Sequence, residues 1–148
     1  MHGLMMDFPL TLPHILERSA KLFPNKEIVS RMPDGMHRYR YSDYHARVHR
    51  VANVLKELGV ERGDRVGTLC WNTYRHLELY FAVPCSGAVL HTLNLRLASD
   101  QLAFIINHAE DRVIFVDASL VHLLEPIRAQ LASVRHIVIM GDCEEGVT

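Results

Sequence analysis

The chain has 148 residues, of which 49% are apolar and 22% charged, with a formal net charge of −1. That near-neutral balance gives no electrostatic case for nucleic acid or an anionic membrane surface, and no apolar run approaches the roughly 18 residues of a membrane span. The length suits one domain able to bury a core, and the composition is that of an ordinary globular protein.

The start, Met1 to Phe8, lacks the basic and apolar regions of a secretory signal. Leu12, Ile15, Leu16, Ala20 and Phe23 then repeat at helical spacing, with Thr11 placed to cap the helix and Pro24 to stop it. Glu27–Arg31 and His37–Tyr41 read as short strands around the turn signal Pro33-Asp34-Gly35. These elements form an N-terminal helix and hairpin, residues 1–41.

From Ser42 to the end, residues 42–148, the order is α-β-α-β-α-β-α-β. Ser42 opens a helix striped by Tyr44, Val48, Val51, Ala52, Leu55 and Leu58, and Gly59 stands where a left-handed cap belongs. Arg65–Cys70 suits a buried strand. Tyr74–Ser86 is helical, with Pro84 expected to kink or end it. Ala88–Leu93 is a strand, and Ser99 is expected to cap a helix carrying Leu102, Ile105, Ile106 and Ala109. Val113–Val116 is a wholly apolar strand of the doubly covered type. Leu120 to Leu131 is a helix that Pro126 bends or restarts, and His136–Met140 closes as a strand. This alternation predicts an α/β fold with a mostly parallel sheet flanked by helices. The polar stretch Gly141–Thr148 looks like a loop cut short, so a segment of something longer is expected.

Chemical signatures are sparse. Phosphate binding needs closely spaced glycines whose N–H groups converge on the anion, and neither GxGxxG nor GxxxxGK[ST] occurs. Gly59, Gly63 and Gly67 are explained by a helix end and a strand start. No GxSxG elbow is present. Glu110/Asp111 and Glu144/Glu145 are read as solvated loop carboxylates. Cys70, Cys85 and Cys143 are odd in number and widely spaced, which suits reduced thiols in a cytoplasmic protein, and Cys70 and Cys85 are read as inert core thiols. Of the ten histidines, His45 and His49 stand four apart on one helical face. No carboxylate or cysteine joins them at ligand spacing, so they are read as surface histidines and no metal site is expected.

An ordered set of stretches resembles the first subdomain of the adenylate-forming superfamily. It runs from Tyr41-Ser42-Asp43-Tyr44, through Leu58-Gly59-Val60-Glu61-Arg62-Gly63-Asp64-Arg65-Val66 and Cys70-Trp71-Asn72, to Tyr80-Phe81-Ala82-Val83-Pro84 and Gly87-Ala88-Val89. Thr92-Leu93-Asn94-Leu95-Arg96-Leu97 and Ile105-Ile106-Asn107-His108-Ala109-Glu110-Asp111 follow. The match covers about residues 10 to 140, and its wording is most similar to medium- or long-chain fatty acyl-CoA synthetases. One departure is Leu95, where the family usually has proline in Asn-Pro-Arg-Leu.

The resemblance implies an AMP-forming acyl-CoA ligase that uses ATP, Mg2+ and CoA on a fatty-acid or other carboxylate substrate. The family's phosphate loop, adenine and ribose contacts and catalytic lysine lie later in such proteins, so this chain is expected to hold no catalytic residue and to be inactive alone. Arg96 is the expected contact to a CoA phosphate, since a guanidinium fork fits that task. Asn94 is expected to hold the turn before it. Trp71, Asn72 and Tyr74 follow one strand and His91 and Thr92 end the next, which makes them candidates for the acyl or CoA path. The alternative reading is a freestanding flavodoxin-like binding module. An assembly surface that self-associates is compatible with the ligase reading.

Overall fold

A computed structural model describes residues 6–141. Cys143, Glu144/Glu145 and the closing loop after Gly141 therefore lie outside the described residues, as does most of the sequence start. Helix α1 (Leu12–Leu22) and the antiparallel hairpin β1 (Glu27–Met32) and β2 (Gly35–Arg40) precede α2 (Tyr41–Glu57) and β3 (Arg65–Leu69). After them come α3 (Tyr74–Cys85), β4 (Val89–Thr92), α4 (Ser99–Ala109) and β5 (Asp111–Asp117). The last elements are α5 (Val121–Leu124), flanked by 3-10 turns Ala118–Leu120 and Glu125–Gln130, and β6 (His136–Met140).

Strands β3 to β6 form one parallel four-stranded sheet in the order β4-β3-β5-β6. Side chains alternate across it, as the two-residue period of a strand requires. Val66, Val113 and Phe115 enter a core with Leu16, Tyr44, Val48, Leu55, Leu79 and Val83 of α1, α2 and α3. Leu69, Ile114 and Val116 enter a second core with Leu102 and Ile106 of α4 and with Leu120, Leu124 and Ile127. The result is three layers, helices on both faces of a doubly buried sheet. Each fully buried aliphatic side chain contributes about 1.5–3 kcal/mol of apolar transfer.

Local chemistry sets the ends of the elements. Helix α2 closes on Gly59 at φ +71°, with Val60 N–H donating to Leu55 O at 3.0 Å, the bond pattern of a left-handed helix end. At its start Tyr41, not Ser42, is the first helical residue, and Asp43 accepts from Arg40 N–H at 3.0 Å. Ser99 is likewise inside α4 rather than its cap; Gln101 closes that end by accepting from Ala98 N–H. Thr11 makes no side-chain cap bond. Pro84 falls in the last turn of α3, and Pro126 ends α5 and restarts the chain as a 3-10 turn.

A further sequence expectation is overturned. Asp111 is not a solvated loop carboxylate: it is the first residue of β5, fully buried, with His91 Nδ1 at 2.8 Å. Sequence neighbours gave no sign of this, because the partner lies two strands away. Glu110 beside it is exposed and ends α4 at φ +55°, held by Arg65, whose guanidinium donates to Glu110 Oε2 at 2.9 Å.

Candidate functional site at the carboxyl edge of the sheet

The strand order decides where a ligand site belongs. From β3 the chain crosses over one face through α3 to reach β4, then returns over the other face through α4 to reach β5. The carboxyl ends of β3 and β5 therefore diverge into a crevice, the usual ligand position in an open α/β sheet. A cleft of about 770 Å³ opens there, lined by Trp71, Asn72 and Thr73 after β3, by Asp117 at the end of β5 and by Ser119 after it. Arg75, Gly141 and the hairpin turn at Pro33-Asp34 complete its walls.

Two bonds stitch the crevice together. Trp71 N–H donates to Asp117 Oδ2 at 2.7 Å, and the Trp71 indole N–H donates to Ser119 Oγ at 3.1 Å. The indole stays about half exposed, so one face is available to a ligand while its polar end is fixed. His76, in α3 after the Trp71 loop, is buried and its Nε2 lies 3.1 Å from Thr68 Oγ1. Burial pushes the His76 imidazole below its ordinary pKa, with the Asp117 carboxylate pulling in the opposite sense. Among the described residues no group bonds His76 Nδ1 or Thr73 Oγ1. Cys70 is buried and burial pushes its thiol far up, with Asp117 adding to the shift; Cys85 is also raised by burial. Burial thus disfavours the reactive thiolate of both, with Cys70 in the core and Cys85 partly buried against it.

The residues singled out from the sequence fall in different places. Trp71 and Asn72 line the cleft. Tyr74 stacks on His37 of β2 at 3.8 Å between ring centroids, with Arg47 and Arg75 over its ring, so it docks the hairpin. His91 points to the α4 face and is held by Asp111. Thr92 is exposed at the end of β4, paired in register with Thr68. Asn94 Oδ1 accepts from Arg96 N–H at 3.0 Å, an Asx-type turn. Leu95, the residue in place of the family's proline, packs against the α4 core and anchors that turn from inside. Arg96 is exposed, and among the described residues no carboxylate pairs with its guanidinium.

Asp117, Arg75, His76 and Ser119 were missed from sequence. Asp117 left one usable signal, an acidic residue directly after an apolar strand, where parallel sheets place ligands. The others left none, because their roles arise from packing between elements distant along the chain.

Comparison with known proteins gives the context. Residues 16–146 match the model of the AMP-binding enzyme family. The chain is 50% identical over 139 residues to a long-chain-fatty-acid–CoA ligase of Thermus thermophilus, covering 93% of this chain and 26% of that protein. It is 43% identical over 146 residues to a 3-methylmercaptopropionyl-CoA ligase of Ruegeria lacuscaerulensis, covering 98% and 27%. Among solved structures, a Mycobacterium tuberculosis fatty acyl CoA synthetase superposes with a TM-score of 0.80 at 27% identity, over 87% of this chain and 26% of that one. The chain thus spans about a quarter of the length of these relatives. With an open parallel sheet and a switch-point cleft formed by the matched residues, the chain belongs to the AMP-binding enzyme family.

Proposed function

We propose that this chain forms the first α/β unit of an AMP-forming acyl-CoA ligase, a protein that joins a carboxylate to CoA through an acyl-adenylate. The observation that carries the reading is the family match over residues 16–146, within which the carboxyl-edge cleft is built. In such a reaction ATP with Mg2+ supplies the adenylyl group and releases pyrophosphate, and the CoA thiol then displaces AMP. A fatty acid is the proposed carboxylate, on the strength of the 50% identity to a long-chain ligase.

Within that unit the residues of this chain would bind and shape rather than react. Trp71 and Asn72 wall the cleft, while Asp117 and Ser119 hold the Trp71 loop in place. Arg96 fits an anionic group: it is exposed, it stands on a turn fixed by Asn94 and Leu95, and a guanidinium binds phosphate oxygens in a fork. It is the proposed contact to a phosphate of CoA, with Asn94 as its positioning residue. Thr92 is the proposed neighbour on the same edge. Phosphate chemistry of this kind runs on preorganised charge and N–H donors around the transferring group. The chain has no closely spaced glycines to provide them, so it is proposed to be inactive alone.

The experiment is a graft. ATP–pyrophosphate exchange with palmitate or octanoate is measured for the chain alone and for the Thermus thermophilus ligase carrying this chain in place of its own matching 139 residues. Exchange in the graft and background in the isolated chain are expected. A graft that melts cooperatively but shows no exchange would overturn the reading, as would exchange by the chain alone.

A further inference from the structure

The fold adds a neighbour to the paired histidines. His45 and His49 do lie on one face of α2, with their Nε2 atoms 3.3 Å apart and rings edge to face at 4.5 Å. The carboxylate missing from their own neighbourhood comes from α1: Glu17 Oε1 lies 3.0 Å from His45 Nε2. One ligand atom from each of the three residues falls within 4.8 Å of the others. None of the three lines the cleft at the carboxyl edge.

We propose that Glu17, His45 and His49 form a binding site for a divalent transition-metal ion, with Zn2+ the ion whose preferences the set meets best. Two imidazole nitrogens and one carboxylate oxygen are donors that zinc takes. With bonds of about 2.0–2.2 Å at tetrahedral angles, zinc ligands sit roughly 3.3–3.5 Å from one another. The His45 separations of 3.0 Å to Glu17 and 3.3 Å to His49 lie close to that spacing, and all three ligand atoms lie within 4.8 Å of one another.

The proton arrangement points the same way. His45 Nε2 faces both a carboxylate oxygen and a second imidazole nitrogen, and a neutral ring carries one N–H for the two of them. If that proton goes to Glu17, the nitrogen of His49 is left facing a donor that is already used. A cation at the meeting point accepts a lone pair from all three groups. Glu17 is prepared for this role, because Lys21 pairs with Oε2 at 3.4 Å and leaves Oε1 turned to the histidines. Three protein ligands leave a fourth position for water.

The consequence is mechanical. Leu16 is the one buried residue of α1, so that helix rests on a small apolar contact with the rest of the chain. A metal ion held by Glu17 of α1 and two histidines of α2 would fasten it, and docking of the N-terminal helix would depend on metal.

Zinc chloride is titrated calorimetrically into the full chain, freed of any tag and treated with chelator, and cobalt(II) is bound in parallel to read the donors from its visible spectrum. One saturable equivalent, a rise in Tm and a cobalt spectrum without sulfur charge-transfer bands are expected. Loss of an outer-shell partner alone weakens a metal site about 10–100-fold, so Glu17→Gln and His49→Asn should each lower the affinity at least tenfold. His122→Asn, at an exposed histidine outside the cluster, should leave it unchanged. His49 is exposed, so that variant keeps its fold, which circular dichroism checks. Absence of saturable binding, wild-type affinity in His49→Asn or Glu17→Gln, or sulfur ligation would each overturn the proposal.

Discussion

Asp111 of β5 and His91 of β4 form a hydrogen bond at 2.8 Å that reaches across the strand between them, over Gly67 of β3. Neighbouring strands are about 4.8 Å apart, so the two side chains meet only because the intervening residue has none. Burial raises the pKa of the Asp111 carboxyl, while His91 and then Arg65 pull it back. The pair ties the edge strand β4 to the central strand β5 on the α4 face.

Gly67→Ala should therefore be costly although its backbone is ordinary. A Cβ there would lie 3.0 Å from Asp111 Oδ2 and 3.2 Å from Ile114 Cγ1. Overpacking of this kind costs about 1–3 kcal/mol, and displacing the carboxylate from His91 adds to it. Urea unfolding measures the loss. An unchanged midpoint would mean that the sheet accommodates the methyl group and that the bridge does not depend on Gly67.

Acid should destabilise the chain through His76. Its folded pKa lies below the ordinary value of 6.5 because of burial, so the unfolded chain binds the proton more readily. Stability is then present above pH 6.5 and is lost as pH falls from there toward the depressed folded value, by at most about 1.4 kcal/mol per pH unit. Asp111 acts oppositely: its raised pKa gives stability that is full below 3.8 and is lost as pH rises through the folded value. The difference between wild type and His76→Gln isolates the histidine, since Asp111 is common to both. Parallel pH profiles for the two proteins would assign the acid sensitivity elsewhere.

Asp117→Ala should loosen the loop that carries Trp71. It removes the acceptor of the Trp71 N–H, and leaving such a donor without a partner costs about 1–3 kcal/mol. Trp71 is the single tryptophan, so intrinsic emission reports this site alone. Lower anisotropy and a red-shifted emission are expected. An unaltered spectrum would show that Ser119 suffices to hold the indole.

In a complete ligase carrying this segment, Arg96→Ala should weaken CoA use far more than ATP or fatty-acid use. A charge-assisted phosphate contact is worth about 1.5–3 kcal/mol, or roughly tenfold or more in apparent CoA affinity. Equal effects on all three substrates would make Arg96 structural.

The isolated chain is expected to self-associate, most simply as a twofold dimer. Strands β4 and β6 are the sheet edges, with unpaired backbone groups that template another chain. Val89 on β4 and Phe104 on α4 are exposed, and Val138 and Met140 of β6 are only partly covered. Light scattering over a dilution series is the measurement, and a monomer persisting at high concentration would count against it.

The sequence by itself determined the layers. Short apolar runs located every strand of the parallel sheet, and period-3.6 stripes the helical stretches between them. Gly59 marked a helix end because only a left-handed residue closes α2 there, and such signals are local, needing no knowledge of partners. Trp71 and Asn72 were legible for the same reason, as residues just past a buried strand. Only the tertiary structure decided which distant groups meet. Asp111 finds His91 across Gly67, Asp117 receives Trp71 N–H, and Glu17 of one helix reaches His45 of another. Each of these contacts spans 20 or more residues of chain. Their geometry follows from strand order and helix packing, which fix side chains relative to one another through the whole core rather than through sequence spacing.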